Sequence, residues 1–136
     1  MHTLILICVS LLALLVFVLG FMVSMARRKA GEGVAVHDDP TSPLLKAVRA
    51  HANSTEYIGA IAALFLVTGF VYQGRDLGLL ASGLIIVLTA ARFLHAFGML
   101  TCKTLNAASP FRFVGALFTY LFGIGLALLL LVRLIF

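Results

Sequence analysis

The chain has 136 residues, of which 62% are hydrophobic and only 11% charged, with a formal net charge of +5 and a mean hydropathy of +1.15. A soluble domain carries roughly 45–50% apolar and about 25% charged residues, so a water-facing surface cannot be built from this composition. Soluble enzymes, disordered chains and solenoids are excluded, and the length leaves room for one domain, residues 1–136. The composition is that of an integral membrane protein.

Taken in order, the first uncharged run extends from Thr3 to Ala26 and is followed at once by Arg27, Arg28 and Lys29. No basic residue precedes its apolar core, so it reads as an uncleaved first spanning helix rather than a signal peptide. The segment from Ala30 to Pro43 holds Gly31, Gly33, Asp38, Asp39, Pro40, Thr41 and Ser42, a dense set of helix breakers and caps. Helix two is expected from Pro43 to Tyr72, with an amphipathic first half, because proline is favoured at the first helical position. The connection Gln73-Gly74-Arg75-Asp76 leads into helix three, expected over 77–102, and Ala107-Ala108-Ser109-Pro110 opens helix four, expected over 111–135. A spanning helix needs about 20 mainly apolar residues, and four such helices use nearly the whole chain. The fold class is therefore an all-α membrane protein, a bundle of four transmembrane helices.

Seven of the Lys and Arg residues (Arg27, Arg28, Lys29, Lys46, Arg49, Lys103, Arg112) fall on one side, against Arg75 and Arg133 on the other. The positive-inside rule then puts the seven in the cytoplasm and both termini on the non-cytoplasmic side. The charge serves orientation and attraction to anionic lipid, and no nucleic-acid motif accompanies it. Cys8 and Cys102 fall near opposite faces of the membrane, too far apart for a bond within one chain. There is no metal-ligand spacing, no phosphate loop and no Ser-His-Asp set. His2 and His37 read as solvated residues, and Met22, Met25 and Met99 as packing.

The first half of helix two carries the residues that need a function. Arg49, Asn53 and Glu56 stand at i, i+4 and i+7 on one stripe, with Tyr57 beside it and His51 nearly opposite. Helix three adds Arg92 and His95. Counted from the Gln73–Asp76 connection, Glu56 and Arg92 match in depth within roughly one helical turn at ~1.5 Å per residue. A lone charge in a bilayer is expensive, so a Glu56–Arg92 pair across helices two and three is expected. A clamp alone would not need the other polar groups, and a polar pocket at the cytoplasmic end accounts for them.

The stretch Arg49-Ala50-His51-Ala52-Asn53-Ser54-Thr55-Glu56-Tyr57 resembles the R-A-H-x-N-x-x-E-Y signature of the MAPEG family, the membrane-associated proteins in eicosanoid and glutathione metabolism. Arg92, His95 and Gly98 match that family's R-x-x-H-x-x-G, and Arg27 and Arg28 match its basic end to helix one. The resemblance implies a homotrimer holding glutathione as co-substrate between subunits. It places Arg49 on a glutathione carboxylate, Asn53 on the peptide backbone and Glu56 on the amino group or against Arg92. Tyr57 and His95 would add contacts, and Arg27 or Arg28 would reach a neighbour's site. It also assigns Arg112, after Pro110, as the catalytic residue that stabilises the thiolate for attack on a hydrophobic electrophile from the bilayer. Gly59 stands where a proline often follows the motif, and Met99 where eicosanoid-producing relatives often have tyrosine. These departures favour a general glutathione transferase or peroxidase over an eicosanoid synthase. A non-catalytic lipid-binding or scaffold protein of the same family is the alternative.

Overall fold

A computed structural model describes residues 2–31, 33 and 38–136. Its four helices are α1 (Thr3–Ala30), α2 (Pro43–Val71), α3 (Gly78–Thr101) and α4 (Pro110–Ile135), each long and apolar enough to cross a membrane. Helices are what a bilayer permits, because each closes its backbone hydrogen bonds internally. The threonine hydroxyls follow the same logic. Thr68, Thr89 and Thr119 donate to the carbonyls of Leu64, Ile85 and Gly115 on their own helices, at 2.7–2.8 Å.

The helix ends obey local chemistry. α1 continues past the expected Ala26 through Arg27, Arg28 and Lys29, whose charges suit a helix C-terminus, and stops where Gly31 adopts a left-handed conformation with φ 68°. α2 starts at Pro43, with the Ser42 hydroxyl accepting from the Leu45 amide at 3.5 Å. His37, read as a loop residue, lies outside the described residues.

The helices run up and down. Among the described residues, α1 packs on α2 and α3, α4 packs on α3 and α2, and the backbones of α1 and α4 are not neighbours. The core is a ladder of apolar side chains: Ile5, Leu12 and Leu19 from α1, Phe65 from α2, Ile85 and Leu88 from α3, and Leu126 from α4. Large apolar side chains such as Phe17, Phe21 and Leu79 point outward, as suits a surface in lipid. Met99 is buried as expected, but Met22 and Met25 face outward. His2 is not simply solvated: its Nε2 lies 3.0 Å from the Tyr72 carbonyl and fastens the start of α1 to the end of α2. Cys8 and Cys102 are both free.

α3 and α4 approach most closely at two glycines. A Cβ on Gly115 would lie 2.6 Å from the His95 amide nitrogen, and one on Gly98 would run into the backbone of Phe111 and Arg112. Only glycine permits this approach. It fixes the start of α4 against the end of α3, where the polar residues gather.

Candidate functional site

The centre of the site is Arg92, which α3 carries inward and which is 1% exposed. Its Nη2 donates to Asn53 Oδ1 at 2.8 Å and to the Asn53 carbonyl at 3.3 Å, while Nη1 donates to Thr119 Oγ1 at 3.4 Å. The guanidinium carbon stands 5.1 Å from the centroid of the Tyr57 ring, and Nε is buried without a partner. The buried cation is thus compensated by an amide, a carbonyl, a hydroxyl and an aromatic face. The expected Glu56–Arg92 pair does not form. Glu56 is exposed on the outward face of α2, and Asn53 takes its place because it stands one turn earlier on the face turned toward α3.

The Tyr57 hydroxyl meets the Tyr120 hydroxyl at 3.0 Å, with the rings edge to face at 5.9 Å between centroids. This pair roofs an apolar groove of about 230 Å³ between α2 and α4, lined further by Ile61, Leu64, Gly123 and Ile124. A second polar group sits nearer the end of the bundle. His95 Nδ1 lies 2.9 Å from the Arg112 carbonyl, and a carbonyl only accepts, so Nδ1 carries the proton. The Arg112 guanidinium turns back on the α3–α4 connection, donating from Nη1 to the Leu105 carbonyl and from Nη2 to the Ala107 carbonyl, each at 3.0 Å. Arg112, His95 and Phe113 line a groove of about 300 Å³.

The structure therefore brings together Asn53, Tyr57 and Arg92, and separately His95 and Arg112. Arg49 and Glu56 are exposed on α2 and make no side-chain hydrogen bond among the described residues. Arg27 is half-buried with an unpartnered Nε, and Arg28 is exposed, both at the same end of the bundle. His51 points away from the site and packs on α1, where a Cβ on Gly20 would come 3.2 Å from its Nε2. Sequence reasoning missed Thr119 and Tyr120. The available signal was a threonine and a phenol side by side in an otherwise apolar, uncharged α4 run.

The arrangement offers hydrogen-bond donors, acceptors and unpaired charges of both signs beside an apolar groove between α2 and α4. Neither a search of curated proteins nor one of solved structures finds a match. A family model described as the MAPEG family matches residues 5–132. The helix-two signature, the four membrane-spanning helices and this match over nearly the whole chain agree: the protein is an integral, multi-pass membrane protein and belongs to the MAPEG family.

Proposed function

We propose that the protein is a membrane-bound glutathione transferase with peroxidase capacity, acting on hydrophobic electrophiles. One observation carries the reading. Arg49 and Glu56, of opposite charge and about two turns apart on α2, face outward without partners, beside Asn53 and Tyr57, which Arg92 orders from behind. Glutathione is a zwitterion with two carboxylates and one ammonium. Arg49 suits a carboxylate in a bidentate fork, Glu56 suits the ammonium, and the free NH₂ of Asn53 and the Tyr57 hydroxyl suit the peptide and thiol region. Such outward charges need cover in a bilayer. A homotrimer supplies it and brings Arg27 or Arg28 of α1 to the neighbouring site, with both termini on the non-cytoplasmic side.

In conjugation the thiolate sulfur attacks an electrophilic carbon, a C–S bond forms, and the leaving group departs with its electron pair, the thiol proton having gone to solvent. With a lipid hydroperoxide, two glutathione molecules become the disulfide while the hydroperoxide becomes alcohol and water. A cation near the sulfur favours thiolate over thiol. Arg112 takes this role by releasing one of its two loop carbonyls. The alternative, a lipid-binding scaffold, is favoured by that same commitment of Arg112 to Leu105 and Ala107.

Titration of purified protein with glutathione, followed by thiolate absorbance, separates the two. Arg49→Ala should weaken binding by about 1.5–3 kcal/mol, on the order of tenfold to a hundredfold in Kd. Arg112→Ala should leave Kd nearly unchanged while raising the bound thiol's pKa and lowering turnover of an aryl halide. Binding without thiolate in the unaltered protein would hand the function to the scaffold reading.

A further inference from the structure

At the end of the bundle opposite Arg49, Arg75 and Arg133 are the only Lys or Arg residues among the described residues. Both line one cavity of about 170 Å³, completed by Val71, Tyr72, Asp76 and Phe136. One arginine comes from the α2–α3 turn and the other from the last turn of α4, so the tertiary fold alone brings them together.

The Arg133 guanidinium and the backbone of the turn carrying Arg75 are held there. The Arg133 guanidinium carbon lies 5.6 Å from the centroid of the Tyr72 ring, a cation–π geometry. The Tyr72 carbonyl accepts from the Arg75 amide at 3.0 Å and faces His2 Nε2 at 3.0 Å, which pins the turn carrying Arg75 to the start of α1. Neither guanidinium forms an ion pair with Asp76. Arginines that merely snorkel extend singly toward the headgroups. Two of them converge on one cavity that holds a single carboxylate, Asp76, and the remaining positive charge is one that an anion would relieve.

α2 ends at Val71 and α4 at Ile135, so the cavity lies at the boundary of the hydrocarbon, the level of lipid phosphates. Val71 and Phe136 give it an apolar side, which a free phosphate would leave wet. A neighbouring cavity of about 420 Å³ shares Arg75 and Asp76 and adds His2 and Gln73, acceptors and donors for a headgroup alcohol. We propose that this end of the bundle is a binding site for the phosphate of an anionic phospholipid whose headgroup carries hydroxyls. Arg75 and Arg133 grip the phosphodiester, and Gln73 and Asp76 receive the headgroup alcohol. The site is separate from the glutathione reading and stands without it.

The test is native mass spectrometry of the full chain released from vesicles of equal phosphatidylglycerol and phosphatidylcholine. The unaltered protein should retain phosphatidylglycerol in preference. Arg75→Ala and Arg133→Ala should each lower that retention on the order of tenfold, Arg133→Lys should fall between, and Lys29→Ala at the opposite end should change nothing. Equal retention of both lipids by the unaltered protein overturns the proposal, as does undiminished retention in both alanine variants. Displacement of the lipid by inorganic phosphate alone would assign the site to a soluble anion and overturn the lipid. Should an alanine variant lose its helical circular dichroism, Arg75→Gln and Arg133→Gln take its place, and phosphatidylglycerol retention undiminished in both overturns the proposal.

Discussion

Arg92 is a cation buried among apolar helices, and what compensates it is Asn53, Thr119 and the Tyr57 ring. Removing Asn53's amide should therefore destabilise the bundle more than removing Glu56's carboxylate. In a double-mutant cycle by thermal unfolding in detergent, Asn53→Ala and Arg92→Met should couple by about 0.5–3 kcal/mol. Glu56→Gln and Arg92→Met should be additive, and coupling of that pair alone would restore the clamp between carboxylate and guanidinium. A second prediction lies outside the membrane. Asp39 accepts from the Thr41 amide at 2.9 Å and the Thr41 hydroxyl at 2.8 Å. These bonds, the backbone one foremost, hold its carboxyl below the ordinary aspartate value. Its contribution to the turn is complete above the unfolded pKa and is lost as pH falls through the lowered folded pKa. An NMR titration should find Asp39 below the usual aspartate midpoint, and Thr41→Val, which removes the hydroxyl bond, should move it up.

Among the helices, the α3–α4 contact sets the geometry of the second polar group. Gly98 and Gly115 bring the two backbones together, Phe97 and Phe111 pack edge to face at 5.5 Å beside them, and His95 reaches the Arg112 carbonyl as a result. Gly98→Ala and Gly115→Ala should each cost about 1–3 kcal/mol through overpacking and loosen His95 from α4. Gly83, also in α3, has open space where its Cβ would stand. Gly83→Ala should be neutral or stabilising by up to about 1 kcal/mol, and a loss there equal to that at Gly115 would contradict close approach as the cause.

Across the whole molecule, the polar stripe is only half resolved within one chain. Asn53 and Tyr57 turn to Arg92, while Arg49 and Glu56 look outward with nothing to meet them. An outward ion in lipid costs several kcal/mol, so the proposed trimer is the arrangement that covers both. Cross-linking in native membranes should give a three-subunit species and none larger, and Arg49→Ala with Glu56→Ala should leave that species intact, since the core of each bundle is elsewhere. A cross-linked ladder stopping at two subunits would rule the trimer out.

Apolar run lengths, the Gly31–Pro43 breakers and the basic clusters determined the four helices and their limits to within a few residues, because span length and backbone satisfaction in lipid leave little choice. The helix-two signature equally determined the family. Depth counting placed Glu56 and Arg92 at one level but could not say which face of α2 meets α3, since rotation of a helix about its axis depends on side chains from three neighbours. Only the packed bundle chose Asn53 as the arginine's partner, joined Tyr57 to Tyr120 and turned Arg112 onto the Leu105 and Ala107 carbonyls. Each of those contacts joins residues on different elements or across a turn. Sequence periodicity defines the faces of one helix at a time, and the tertiary structure decides which faces meet.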